Sequence, residues 1–491
     1  MGSIEKFSVK IQTIIITNYK AFFGTHKVNI SGKNLFIYGE NGSGKSSLYY
    51  ALKDFFQSSV EDIDLNELEN VFVVAKNKGK TAVKVTFKPN AKGHNRSKVY
   101  LWNSSKNDSR DAGDTSIRDG NKLKSFLTYK HLLSIHHLKK DDCINLFDLL
   151  VKGVLKHFRY SLTAGKELGE LWSDVEETVA RTTGKAYPIN KKRADVNAAV
   201  KVFNEAFGEL FKPGSPENIL NHARPILAYF NNNTELDLHF SQIRPDKDYS
   251  AIEGAEVHVK LKYAGKEIDK PHLFLNEARL SAIAISIYLG MIKRHVQGIP
   301  CKVLFLDDIF IGLDIANRLP LLKLLETEFP EYQIFITTYD KPWFEYAKGT
   351  LEQKAGWKAM EFYAKSKPSG FEIPYILDKP DSLERSKFHL GQCDYKAAAV
   401  YARAAFEKTI KDYCVKKCKN FVFTRKGPSS NDLWVSVCKD IPKATKDSVE
   451  TYRGLVLNPF CHYDTEKHEI KTELNSAIRT IERLKQKLAS S

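Results

Sequence analysis

The chain has 491 residues, 42% of them hydrophobic, and a formal net charge of +16. That is enough apolar material for two or three packed domains and excludes a disordered chain. No apolar run reaches membrane-spanning length, and the N-terminus lacks the apolar core and cleavage site of a signal peptide, so the sequence places the protein in the cytoplasm with no membrane partner.

Seven cysteines, an odd number without a disulfide-framework spacing, fit a reducing compartment. Cys414 and Cys418, with Cys461 and His462 further on, could supply zinc ligands, but two cysteines four apart more simply share one helix face. The positive charge points either to an anionic partner, with nucleic acid (RNA or DNA) first, or to a basic solvated surface.

In chain order, Val9–Ile16 is rich in β-branched residues and partly alternates, which predicts a strand, and a second strand is expected near Lys27–Ile30. The apolar run Leu35–Tyr38 then leads into Gly39-Glu40-Asn41-Gly42-Ser43-Gly44-Lys45-Ser46 and on into Ser47-Leu48-Tyr49-Tyr50-Ala51-Leu52. Strand, glycine loop and helix in that order are the context a Walker A loop requires. The glycines let backbone N–H groups turn inward around phosphates, and the helix points its positive end at them. Lys45 reaches the β and γ phosphates and Ser46 ligates Mg²⁺, with Gly39, Asn41, Gly42, Gly44 and Ser47 completing the binding set. The predicted cofactors are ATP and Mg²⁺.

Beyond that helix, Val71–Val74 and Thr81–Phe87 read as a hairpin across a polar turn, and Asn103–Asp119 as a polar loop. From Leu123 to about Asn233 the pattern turns helical, with Phe147, Leu150, Val151, Val154 and Phe158 on one apolar face. Two later helices are separated by Lys212-Pro213-Gly214-Ser215, with Pro225 inside the second. No heptad pattern lasts long enough for an extended coiled coil.

Strand character returns at Leu236–Phe240 and Val257–Leu261. Leu275-Asn276-Glu277-Ala278-Arg279 then opens an apolar helix. The buried strand Val303–Leu306 ends in Asp307-Asp308, a Walker B candidate with Asp307 on Mg²⁺ and Asp308 placed to orient or activate water.

These motifs, together with Gly312-Leu313-Asp314 and Gln333–Asp340, resemble in order the ABC-type ATPases of the SMC and RecF group. They are similar in particular to the compact ATPases of bacterial phage-defence loci such as PARIS and Septu. The resemblance covers about residues 1–365. It implies a homodimer or higher oligomer in which Asn276 of the signature motif and Asp314 of the D-loop meet the nucleotide of the other subunit. It also implies a possible separate effector protein. Three positions depart from the family pattern: the signature is not Leu-Ser-Gly-Gly-Gln, Asp308 stands for the usual glutamate, and Tyr339 for the switch histidine.

After a last strand, Phe371–Leu377, the chain is predicted to be helical. Arg403 and Glu407 are four apart on one alanine-rich helix, and His462 follows much later. Read plainly, they are an intrahelical ion pair and a loop histidine. The module also resembles HEPN-type ribonucleases, the bacterial anticodon nucleases above all. That resemblance implies a site in which His462 moves protons, Arg403 stabilises the phosphorane and Glu407 holds either in place.

The expected fold is α/β: an ABC/SMC-type P-loop ATPase head with a helical insertion and an all-α C-terminal domain. The expected segments are 1–122 and 236–378 for the head, 123–235 for the insertion and 381–491 for the helical module. The expected function is an ATP-hydrolysing sensor and scaffold in antiphage defence that restrains a toxic effector. The alternatives are a ribonuclease, tRNA being its first suspect, gated by the head, and a RecF-like DNA-repair ATPase.

Overall fold

The structure is a computed structural model. It describes residues 9–89, 97–136, 144–160, 165–182, 188–230, 233–294, 299–351, 354, 356–378, 382–391, 393–421, 428–457 and 471–490. The chain divides into two compact units, Met1–Asp378 and Lys379–Ser491.

The first unit begins with β1 (Val9–Thr17) and β2 (Thr25–Asn29), an antiparallel hairpin. The β-branched run of β1 buries Ile11, Ile14 and Ile16 completely. After β3 (Asn34–Gly39) and the helix Lys45–Gln57, β4 (Ala82–Pro89) returns to the other edge of β1, and β5 (Lys98–Asn103) pairs with β4. This four-stranded sheet has the order β2-β1-β4-β5. Val71–Val74 is not a strand, contrary to the sequence expectation, because β4 finds its partners in β1 and β5. Val71, left without a partner strand, is 87% exposed. The stretch expected to be a polar loop carries a short helix, Ser116–Lys122.

A second, central sheet takes β6 (Phe126–Thr128), then skips β7 (Thr234–Ser241), the short ladder of β8 (Arg244–Pro245) with β9 (Ile252–Glu253), β10 (Glu256–Tyr263) and β11 (Lys266–Ile268). It is completed by β12 (Val303–Asp307), β13 (Gln333–Thr338), β14 (Trp357–Ser366) and β15 (Glu372–Asp378), in the order β15-β14-β3-β13-β12-β6. All its pairings are parallel except β14 with β15. The continuous apolar runs of its strands follow from burial on both faces. Phe36, Leu304, Leu306, Ile334 and Ile336 enter one core, while Leu35, Ile37, Phe305 and Phe335 enter the other.

β6 lies inside the stretch expected to be helical. Its three residues are too few to alternate visibly, yet they pair with β12 at the edge of the central sheet. The rest of that stretch carries helices Leu168–Thr182, Ile189–Gly208 and Leu220–Ala228, the last containing Pro225. Phe147, Leu150, Val151, Val154 and Phe158 are all buried. A π-helical turn, Leu149–Val154, ends before Phe158, so the apolar face is only partly helical.

The helix Glu277–Arg294 is buried almost throughout and crosses Leu220–Ala228 at Gly290. A Cβ at Gly290 would lie 2.8 Å from the backbone nitrogen of Ala223. Gly290→Ala is therefore expected to lower stability by about 1–3 kcal/mol, read from the denaturation midpoint, since neither helix backbone can yield a methyl's width.

The described residues of the second unit form helices Ser382–Gly391, Tyr395–Lys416, Ser430–Val437, Lys443–Tyr452 and Lys471–Ser490, with no strand among them. Its core gathers Ala398, Ala402, Phe406, Trp434, Leu474 and Ile478. Cys414 is buried there, whereas Cys418 lies beyond the helix end, exposed and with φ +48°, so the two do not share a helix face. Among the described residues no cluster of three His, Cys, Asp or Glu could hold a metal, and Cys461 and His462 lie outside them. No described helix is long and apolar enough to cross a membrane.

Candidate functional site

β3 is flanked by β13 and β14, so the loop that follows it emerges from the middle of the central sheet. The turn through Glu40–Gly44 closes on Gly44, which precedes the helix with φ +95°. Only glycine adopts that conformation without strain, and a Cβ there would also meet Pro374 Cγ of β15 at 2.6 Å. Gly44→Ala is expected to weaken binding of a fluorescent ATP analogue by more than about tenfold, because the loop must open to admit the methyl.

Lys45 is 4% exposed, and its Nζ donates to the carbonyls of Gly39 (2.5 Å) and Glu40 (3.2 Å). Burial lowers its pKa, and the carboxylates of Asp308, Asp307 and Glu40 oppose that shift. Ser43 Oγ is fully buried in the same loop without a hydrogen-bond partner.

Across the loop, Asp307 closes β12. Ser46 Oγ donates to its Oδ2 (2.9 Å) and Thr337 Oγ1 to its Oδ1 (2.7 Å). Thr337 Oγ1 in turn accepts the N–H of Asp308 (2.9 Å). The register explains the meeting: Leu306 pairs with Ile336, which sets Asp307 beside Thr337, and on its other side Asp307 pairs with Thr128 of β6. Burial raises the pKa of Asp307, against the pull of Thr337, Ser46 and Lys45.

Asp308 sits at φ +54°, a left-handed position that aspartate tolerates better than most residues. Its Oδ1 is buried with no hydrogen-bond partner among the described residues. Burial, opposed by Lys45 and reinforced by the charge of Asp307, pushes its carboxyl up to about 6.

These features fit Mg-nucleotide. An ammonium satisfied only by its own loop, an orphaned serine hydroxyl and an orphaned carboxylate oxygen are groups that a phosphate, a cation and a water would satisfy. Ser46 and Asp307 are the oxygen donors that could hold Mg²⁺.

The signature and D-loop residues come together on another face of the same unit. Asn276 Oδ1 accepts the N–H of Arg279 (3.0 Å) and so caps the helix Glu277–Arg294. Asp314 caps the helix Ile315–Glu328 by accepting from Asn317 N (3.0 Å) and Nδ2 (2.8 Å). Asn276, Arg279, Asp314 and Asn317 line one pocket of about 240 Å³. Near its lining residues in sequence, Phe274 (65%) and Ile315 (68%) are exposed, as is Tyr339 (47%) beyond β13.

The sequence reading missed three contributors. Thr337 lies within Gln333–Asp340, a stretch read only for its family resemblance, and the sheet register is what reveals its two hydrogen bonds. Tyr129 follows β6 directly, and its hydroxyl donates to Glu277 Oε1 (2.7 Å). His131 accepts the N–H of Thr128 through Nδ1 (3.1 Å), and burial lowers its pKa. In the second unit, Arg403 Nε donates to Glu407 Oε1 (3.0 Å) on one helix face, as the four-residue spacing predicts, and His462 is outside the described residues.

No curated protein sequence matches the chain significantly. Two crystal structures are similar in fold. One is the Smc head domain of Pyrococcus furiosus with an extended coiled coil, bound to the C-terminal domain of ScpA. It is 16% identical with a TM-score of 0.42, the match covering 79% of this chain and 100% of that one. The other is an Smc head bound to the C-terminal winged-helix domain of ScpA, 15% identical with a TM-score of 0.39, covering 76% of this chain and 99% of that one. A family model described as the RecF/RecN/SMC N-terminal domain matches residues 10–357. That match takes in most of the chain and the whole span from β1 to the start of β14, and by it the chain belongs to the RecF/RecN/SMC family of ABC-type P-loop ATPases.

Proposed function

We propose that this ATPase is the sensor and scaffold of an antiphage defence system, an oligomer that restrains a separately encoded toxic nuclease and releases it on an infection cue. The observation that carries the switch is the pocket shared by Asn276 and Asp314. It joins two motifs that touch no phosphate-binding residue of their own chain among the hydrogen bonds described, and a second copy bringing its nucleotide would complete it.

In this reading Gly39, Asn41, Gly42, Gly44, Lys45 and Ser47 hold the phosphates, and Ser46 with Asp307 holds Mg²⁺. Mg²⁺ bound there neutralises charge on the β and γ oxygens. Asp308 orients the attacking water and accepts its proton, which its raised pKa suits it to do near neutral pH. Asn276 and Asp314 of the second copy meet the same nucleotide, so closure of the dimer reports ATP and hydrolysis releases it.

The test is the assembly state. With ATP and Mg²⁺ the wild-type chain is expected to double its mass by light scattering, and Asn276→Arg, which fills the pocket, to remain monomeric while still binding nucleotide. A monomeric wild type under those conditions would overturn the switch. For the defence role, cells carrying the native locus are expected to lose phage protection with Lys45→Ala.

The Arg403–Glu407 pair favours a second reading, in which the C-terminal unit itself cleaves RNA. Discrete RNA fragments that appear with the wild type and vanish with His462→Ala would support it.

A further inference from the structure

Lys379–Ser491 holds 22 Lys and Arg against 14 Asp and Glu, a net +8 of the chain's +16. Most of these cations are exposed, and a solvated lysine says little. Arg453 is different.

Arg453 is half-buried where the helix Lys443–Tyr452 passes into the π-helical turn Arg453–Leu457. Its guanidinium stands 5.4 Å from the ring centre of Phe406 and 5.8 Å from that of Trp434. Its hydrogen bond to Asn431, from Nη2 to Oδ1, is a long one at 3.5 Å. Among the described residues no ion pair reaches it within 4.0 Å. Burial lowers its pKa and the nearby charge of Arg403 lowers it further, while Glu450 and Glu407 act the other way. Two guanidiniums from different helices thus share one neighbourhood in which Glu407 is already engaged with Arg403 at 3.0 Å. Trp434, 2% exposed, adds a buried indole N–H with no acceptor among the described residues. Partly burying a cation with no ion-pair partner within 4.0 Å among the described residues is costly, and such a site is stabilised by an anion that takes several N–H donors at once.

We propose that Arg453 and Arg403, with the Asn431 amide beside them, bind a backbone phosphate of a single-stranded nucleic acid. Guanidinium donors match phosphate oxygens in number and geometry, and the aromatic rings fix the Arg453 fork in advance. A strand is favoured over a lone phosphate because Lys417 caps the helix bearing Arg403, about 20 Å further along its axis and within about 40° of Arg403 around it. A chain of phosphates could meet both. The site is independent of the ATP switch and requires no cleavage.

The experiment uses the full chain and a fluorescein-labelled single-stranded RNA, with DNA of the same base order, followed by anisotropy over a series of KCl concentrations. Arg453→Gln and Arg403→Gln are each expected to weaken binding about tenfold or more and to reduce the slope of log affinity against log salt by about 0.7. Arg453→Lys, which keeps the charge and the stem but loses the fork, is expected to fall between. Tryptophan fluorescence and unchanged ATP turnover in Arg453→Gln check that the unit and the head remain folded. Equal affinity for RNA and DNA would identify phosphate contacts alone, and tighter RNA binding would identify RNA as the strand.

Wild-type affinity and salt slope in both glutamine variants would overturn the proposal. So would binding of an acidic peptide by a wild type that binds neither strand. The same samples run on a denaturing gel separate binding from cleavage: intact RNA bound through Arg453 keeps this site and removes the ribonuclease reading.

Discussion

Asp308→Asn is expected to cut ATP turnover by about two to four orders of magnitude while nucleotide binding survives, the loss that follows removal of a positioned base. The same change should stabilise the nucleotide-free head. A carboxyl held at about 6 by burial, against an ordinary value of 3.8, favours its protonated form in the folded state. The cost of ionising it in the folded state therefore grows as pH rises from about 3.8 to about 6, stands at about 3 kcal/mol at neutral pH, and disappears below the ordinary value. Asparagine carries no charge and tolerates the left-handed backbone that Asp308 occupies. Activity down with melting temperature up is the expected pair, measured by phosphate release and by thermal unfolding. A variant that loses both would mark Asp308 as structural. The pH profile supplies a third reading: kcat/KM of the wild type should fall as pH is lowered through about 6, or somewhat below once Mg²⁺ adds its charge, and the variant should lack that inflection.

Lys45→Ala is expected to weaken ATP binding by about 30-fold to several thousandfold, the range for truncating one member of a buried charge pair. Lys45 is already stripped of water and held by two loop carbonyls, so little reorganisation separates it from a phosphate oxygen. Isothermal titration with ATP and Mg²⁺ measures the change. Retained affinity would mean that the backbone N–H groups alone hold the phosphates.

The phosphate loop was legible in the sequence because each of its parts is local. A short apolar strand, glycines at fixed offsets and a lysine at the helix start need no distant residue to be recognised. The strand ending in Asp307 was legible for the same reason, its five residues being apolar through Leu306 and buried throughout. The apolar helix expected after Leu275-Asn276 is present as Glu277–Arg294, with Asn276 capping it.

What escaped the sequence is what sheet order creates. β6 has three residues and no pattern, yet it sets Thr128 beside Asp307. Thr337 joins Asp307 to Asp308 only because β13 lies next to β12. Val71–Val74 has the composition of a strand, and composition cannot tell that β4's two edges are already taken. Arg453 escaped because its partners lie some 20 to 50 positions away, on Asn431, Trp434, Phe406 and Arg403.

The hydroxyl of Tyr129 reaches Glu277 at the start of the signature helix, and a Cβ on Gly312 of the D-loop would stand 3.5 Å from the Tyr129 ring. Tyr129 also follows directly on Thr128, the register partner of Asp307. One residue therefore follows the strand beside Asp307, bonds to the helix that the proposed dimer would present to a second copy, and lies against Gly312. In a dimer, occupancy of either nucleotide site would bias the surface that completes the other, and linkage makes that influence reciprocal. Turnover should then rise with ATP concentration more steeply than a single-site curve, and Tyr129→Phe, lacking only the hydroxyl, should bring the Hill coefficient toward one.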